Sequence, residues 1–314
     1  MNAAPASDVL ARHLLMARTL LTGAAGFTGR YVAAALTARG HEIHAVVHDT
    51  PDEAIGGASE VHQGNLAELD AISRIVEAVR PDHVVHLAAI AFVAHGDVEQ
   101  MYRSNILGTR QLLEALARSA AKPASIVLAS SANVYGTARE GTQHEGQPLA
   151  PANDYGVTKV AAEYAASLYR AKLPIIVVRP FNYTGRGQSA EFIVPKIVEH
   201  ARRRASVIEL GNLDVARDFS DVRVVAEAYA RLVSAPEAIG GTFNICSGRA
   251  ISLQEVLDVV SLLTGHKLDV RVSPKFVREN EVRSLWGSPE KLKGVVGELP
   301  MIPFEDTLRW MLEA

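Results

Sequence analysis

The stretch RTLLTGAAGFTGRYVAAALTARGHEIHAVVHD, residues 18–49, constrains this chain more than any other. An apolar run of strand length meets a turn punctuated by Gly23, Gly26 and Gly29. An alanine-rich helical stretch follows, stops at Gly40, and gives way to a second apolar run. That order predicts a β–α–β unit, whose parallel strands need a right-handed crossover. Glycines between the first strand and first helix allow a tight turn and let the backbone approach a pyrophosphate. The helix N-terminus adds amide donors and the positive end of its dipole. With Phe27 and Thr28 inside it, the turn predicts dinucleotide binding.

The rhythm continues. LDAISRIVEAVRPD, MYRSNILGTRQLLEALARSA and YGVTKVAAEYAASLYRA carry helical patterns, and HVVHLAA, SIVLASS and PIIVVRP are apolar strands between and after them. Short apolar strands alternating with helices predict a parallel sheet covered on both faces, a doubly wound α/β domain of Rossmann type. After Pro180 the alternation breaks into a polar, glycine-rich loop, as expected where substrate is held at the carboxyl edge of such a sheet. We therefore expect residues 18–180 and 214–247 to form the dinucleotide-binding domain, residues 181–213 and 248–314 a smaller mixed α/β substrate lobe, and residues 1–17 a flexible leader.

Basic and acidic residues nearly balance, 32 against 35, which gives no reason to expect a nucleic-acid or anionic-membrane surface. Cys246 is the sole cysteine, so there is no intramolecular disulfide and no cysteine pair for a metal. No apolar run has the roughly 20 residues needed to span a bilayer. The expectation is a cytoplasmic enzyme without a bound metal.

YGVTK places Tyr155 and Lys159 at i and i+4, on one helix face. A free phenol has a pKa of about 10, too high for easy proton exchange near neutrality. A nearby ammonium is expected to lower it and make the pair an acid/base couple for carbonyl–alcohol chemistry.

With TGAAGFTG, HLAA (86–89), NILGT (105–109), SSANVYG (130–136) and YGVTK (155–159) together, the chain from about Thr19 onward resembles the extended short-chain dehydrogenase/reductases, the NAD-dependent epimerase/dehydratase family. The resemblance implies that Ser131 hydrogen-bonds the reacting oxygen, Tyr155 exchanges the proton, and Lys159 lowers its pKa and holds the cofactor ribose. It implies further cofactor contacts from Asn65 and Leu66, from Leu87, Ala88 and Ala89, and from Asn105 and Pro180. His48 and Asp49, at the end of the second strand, face the adenosine ribose in such a domain, and they leave NAD and NADP both open. A homodimer built on the two long helices is also implied.

Family dehydratases place a glutamate two residues after the catalytic hydroxyl, as acid/base for elimination. Here that position is Asn133, which points away from a 4,6-dehydratase. RPFNYTGRGQ, GNLDVARDFSDV, NICSGRAISLQEVL and VRENEVRSLWGSPEKL look most like the GDP-4-keto-6-deoxy-mannose reductases. That subgroup implies substrate contacts from Ser131, Asn133 and Asn182, with Arg217 at the diphosphate and Arg278 with Glu281 at the nucleotide. Arg186 departs from the subgroup's usual proline. The expected reaction is NAD(P)H-dependent reduction of a GDP-4-keto-6-deoxy sugar. The alternatives are 4-epimerisation of UDP-glucose type and, remotely, a non-catalytic dinucleotide sensor.

Overall fold

The computed structural model describes residues 16–49, 54–91, 96–137, 140–274 and 283–313. Seven parallel strands form the main sheet: β1 (Ala17–Thr22), β2 (His41–Val47), β3 (Ala58–Gln63), β4 (His83–His86), β5 (Ser125–Ala129), β7 (Ile175–Pro180) and β11 (Thr242–Ile245). They lie in the order β11-β7-β5-β4-β1-β2-β3, so the direction of winding reverses between β1 and β4. That reversal opens a crevice at the carboxyl ends of the strands, where doubly wound folds bind ligands.

The central strands are largely apolar because both faces are covered, whereas the edge strand β3 is mostly exposed. On β1, Leu21 packs into one core with Val32 and Leu36 of α1 (Phe27–Thr37) and Val225 and Tyr229 of α7 (Val222–Val233). Its neighbour Leu20 points the other way, toward Ile72 and Val76 of α2 (Leu69–Val79), Leu112 and Leu116 of α4 (Thr109–Arg118), and Ala166 of α5 (Asp154–Ser167). Each such leucine contributes about 1.5–3 kcal/mol when fully buried.

The single helix expected over residues 101–120 is interrupted. A short α3 (Val98–Tyr102) passes through a π-helical turn, Arg103–Gly108, before α4. Such turns concentrate at functional sites. This one carries Asn105, whose amide exchanges hydrogen bonds with the Ile90 backbone and donates to Thr158 Oγ1 on α5 at 3.0 Å.

A second sheet has the order β12-β10-β14-β6, with β8 (Asn182–Thr184) alongside β10. Its strands are β6 (Gly141–Gln143), β10 (Ala216–Asp221), β12 (Ala250–Ser252) and β14 (Ser284–Gly287). The third core joins β10 to α6 (Ile193–Arg202), α8 (Leu253–Thr264) and α10 (Phe304–Leu312). A ribbon of β9 (Val207–Leu210) and β13 (Asp269–Val272) completes the lobe, whereas the helix α9 (Glu290–Val296) returns to the main sheet, its Leu292 in the first core. Since β6 and β10 both pair in this sheet, we propose that the two lobes interleave there rather than meeting at the chain ranges expected from sequence. Among the described residues no helix is long and apolar enough to cross a membrane.

Candidate active site

A cavity of about 660 Å³ lies between the carboxyl edge of the main sheet and the second lobe. Its floor is the glycine turn. Gly23 sits at φ +73°, and a Cβ there would lie 2.7 Å from the Ala88 amide nitrogen; a Cβ on Gly29 would lie 2.2 Å from the Gly23 carbonyl oxygen. No larger residue fits without moving backbone. Gly26 caps α1 with no side-chain hydrogen bond, and Phe27, Thr28 and Gly29 of its first turn line the cavity. Bare amides at a helix start, packed against a flat strip of Leu87, Ala88 and Ala89, fit the diphosphate and nicotinamide halves of a dinucleotide.

Ser131, Tyr155, Lys159, Asn133 and Pro180 line the same space. Asn153 caps α5, its Oδ1 accepting from the Gly156 amide at 2.8 Å, which sets the start of the helix and so the aim of Tyr155 in its first turn. Ser131 comes from the opposite side, at the end of β5, with its hydroxyl placed to pull the Tyr155 pKa down.

The hydrogen-bond chain behind Ser131 fixes which way its proton points. Because Asn153 Oδ1 accepts from an amide N–H, Asn153 Nδ2 is the end that donates, to Asn133 Oδ1 at 3.2 Å. Asn133 Nδ2 then donates to Ser131 Oγ at 3.1 Å, and the Asn133 backbone N–H donates to the same oxygen at 3.2 Å. Two donors occupy both lone pairs of the serine oxygen, leaving its own hydrogen to be given outward. Asn133 thus holds Ser131 as a donor, which a carboxylate at this position could not do.

Burial raises the Tyr155 phenol above its usual range, the buried Tyr183 adds to that, and the Ser131 hydroxyl opposes it. Lys159, expected to lower this pKa, has its Nζ 5.8 Å from the Tyr155 ring centre and donates to the Ala129 carbonyl at 2.8 Å. Burial also pulls Lys159 down to about 8, against the pull of Glu163. At neutral pH the site therefore presents a protonated phenol beside a mostly charged ammonium.

Ser130 and Tyr135 are structural. Ser130 Oγ donates to Glu163 at 2.5 Å, and Arg179 grips the same carboxylate through two bonds of 2.9 and 2.7 Å. Tyr135 donates to Asn244 Oδ1 at 2.6 Å and accepts from Arg179. Below them His86 bridges Thr22 and Thr109, kept neutral by burial and by Lys159, with its pKa near 3.

Other expected contacts fall in different places. Asn182 and Arg217 line the cavity from the lobe side, and Arg217 donates to the Ala216 carbonyl at 2.9 Å. His48 and Asp49 stand exposed at the end of β2, paired at 3.1 Å, beyond the cavity lining. Asn65 turns to Glu68, Leu66 packs into the second core, and Asn105 is buried against α5. Arg278 and Glu281 lie outside the described residues. Arg186 turns away from any phosphate: its guanidinium lies 5.1 Å from the Trp310 ring centre and pairs with Glu313 at 3.3 Å.

Tyr183 and Tyr229 are among the cavity residues that were not anticipated. Tyr183 stacks on Phe27 and shares a 2.7 Å hydrogen bond with Thr28, closing the cavity over α1. Tyr229 enters from α7.

Residues 20–311 match the family model of the GDP-mannose 4,6-dehydratases. The chain is 32% identical to the GDP-6-deoxy-D-mannose reductase of Pseudomonas aeruginosa, covering 94% of this chain and 96% of that one. It is 30% identical to the GDP-6-deoxy-D-talose 4-dehydrogenase of Aggregatibacter actinomycetemcomitans, over 89% and 91%. A candidate epimerase from Burkholderia cenocepacia J2315 superposes with a TM-score of 0.89 at 47% identity, covering 95% and 97%. RMD from Pseudomonas aeruginosa, solved with NADPH, gives 0.81 at 31% over 95% and 97%.

Proposed function

This chain belongs to the GDP-mannose 4,6-dehydratase family, and from that premise we propose that it is not itself a dehydratase but a reductase of the 4-keto group in a GDP-4-keto-6-deoxyhexose, using NADPH or NADH. The observation that carries this reading is Asn133, held as a hydrogen-bond donor to Ser131 at the position where elimination needs an acid. The reductase and dehydrogenase relatives support the same redox step at a GDP-6-deoxy sugar.

The glycine turn would hold the diphosphate of a nicotinamide dinucleotide, which when bound and reduced would supply the hydride for the carbonyl carbon. Ser131 gives a hydrogen bond to the carbonyl oxygen and places it beside the phenol. Tyr155, protonated at working pH, gives up its proton as the oxygen gains charge, and the product is an alcohol. Lys159, lining the same cavity, would hold positive charge near that transfer and bind the cofactor ribose. Asn182 and Arg217 face the nucleotide end of the substrate, where a guanidinium suits a diphosphate.

The epimerase reading keeps one specific support, the similarity to the Burkholderia structure, since transient oxidation and re-reduction use the same three groups. Incubation with NADPH and GDP-4-keto-6-deoxymannose separates them. Loss of nicotinamide absorbance with formation of a GDP-6-deoxyhexose is expected. Interconversion of UDP-glucose and UDP-galactose without added NADPH, and no NADPH oxidation, overturns it.

A further inference from the structure

On the far edge of the main sheet, well away from the cavity lining, β2 and β3 bring together His44, Glu60 and His62. The sequence supplies them at alternate positions on adjacent parallel strands, so they share a face. A register irregularity between Ile43 and His44 sets Glu60 opposite His44 and His62 opposite Val46. Irregularities of this kind re-aim side chains beside functional sites.

The three ligand atoms form a compact triangle. His44 Nδ1 and His62 Nε2 are 3.2 Å apart, and Glu60 Oε2 lies 3.4 Å from the first and 3.7 Å from the second. Tetrahedral coordination at the usual zinc bond lengths puts ligand atoms about 3.3 Å apart. The other nitrogen of His44 adds an independent observation. His44 Nε2 is buried without a hydrogen-bond partner, and its nearest carboxylate oxygen is Glu42 Oε1 at 3.4 Å. A carboxylate on the outer nitrogen of a ligating histidine fixes its tautomer and raises its basicity.

We propose that His44, His62 and Glu60 bind a borderline divalent cation, zinc in the first place, with Glu42 supporting His44 from behind. Two imidazoles and one carboxylate suit zinc over calcium or magnesium, which prefer all-oxygen shells. The ion ties the exposed edge strand β3 to β2 and leaves one coordination position open to water. The same pair of histidines joined by one N–H···N hydrogen bond, with no ion, is the competing arrangement.

Tag-free protein, stripped with a chelator and dialysed, is titrated with ZnCl2 by calorimetry and with CoCl2 by visible absorption. The expected result is one equivalent per chain, the intense visible bands of tetrahedral cobalt, and a higher melting temperature with zinc. His62→Ala should weaken zinc binding at least 100-fold and abolish the cobalt bands. Glu60→Ala, at a largely exposed side chain, should weaken it about 10-fold while leaving metal-free melting unchanged, and it decides the matter if the histidine variant fails to fold. Absence of stoichiometric binding, or equal binding by wild type and both variants, overturns the proposal and leaves the hydrogen-bonded pair.

Discussion

In the proposed reduction Tyr155 gives the proton and Asn133 works through the Ser131 hydroxyl it donates to, so their substitutions should separate accordingly. Tyr155→Phe removes the proton donor and keeps the ring, so turnover should fall by about 10²–10⁴ while NADPH affinity stays within a few-fold; a variant with wild-type turnover would refute its role. Asn133→Asp replaces the amide that donates to Ser131 with an acceptor. It should lower kcat about ten-fold or more, comparable with loss of one charge-assisting donor, and leave KM little changed. A rise in KM alone would show that Asn133 only contacts substrate. Lys159 is depressed to about 8 by burial, so its charge is present below that pH and lost above it. Cofactor affinity, followed by NADPH fluorescence, should therefore weaken as pH rises from 7 to 9; a flat profile would contradict the assignment. That Ser131, Tyr155 and Lys159 would line one cavity was readable in the sequence, because Tyr155 and Lys159 are one helical turn apart and Ser131 follows the strand before them. The donor role of Asn133 was not, because the carboxamide that orients it, Asn153, arrives on another element. Tyr229 was hidden for a different reason: on α7 it sits in an apolar stripe identical in pattern to ordinary core.

The elements that position the site are short and few. The β1–α1 turn depends on three glycines for space as well as conformation, and Gly29 is the tightest. Gly29→Ala forces a Cβ against a backbone carbonyl, and should lower stability by about 1–3 kcal/mol and remove dinucleotide binding. Unchanged melting and binding would show that the turn relaxes freely. The turn itself was evident from sequence, since no other common pattern places three glycines between a strand and a helix. The π-helical turn at Asn105 was not, because periodicity cannot register one extra residue inside an otherwise regular helix. Nor was the pairing of β6 with β14, whose partner residues are far apart in the chain and carry no strand-like run of their own.

At the scale of the whole molecule, burial sets the response to acid. His41, His62, His83 and His86 all have lowered pKa values, with desolvation the first cause in each. The unfolded chain takes up protons at these residues near pH 6.5 and the folded chain only at lower pH, so stability falls as pH drops through that window. The melting temperature should be level above about pH 7 and decline toward pH 5. The outer face of α5 exposes Val157 and Tyr164, with Leu168 just past its end and Leu107 exposed on the π-helical turn packed beside it, and we propose that a second copy covers this face. The Rossmann architecture followed from alternation alone, whereas the lobe's arrangement around Asp218, buried under the Ser247 and Gly248 amides, required the structure. The central claim is net hydride delivery to a sugar carbonyl without elimination. It is tested most directly with NADPH carrying deuterium at the transferred position and GDP-4-keto-6-deoxymannose as substrate. The account predicts a GDP-6-deoxyhexose about 1 Da heavier than the product made with unlabelled NADPH, labelled at C4, and no change in GDP-mannose offered alone. An unlabelled product, or conversion of GDP-mannose to its 4-keto-6-deoxy derivative, would contradict it.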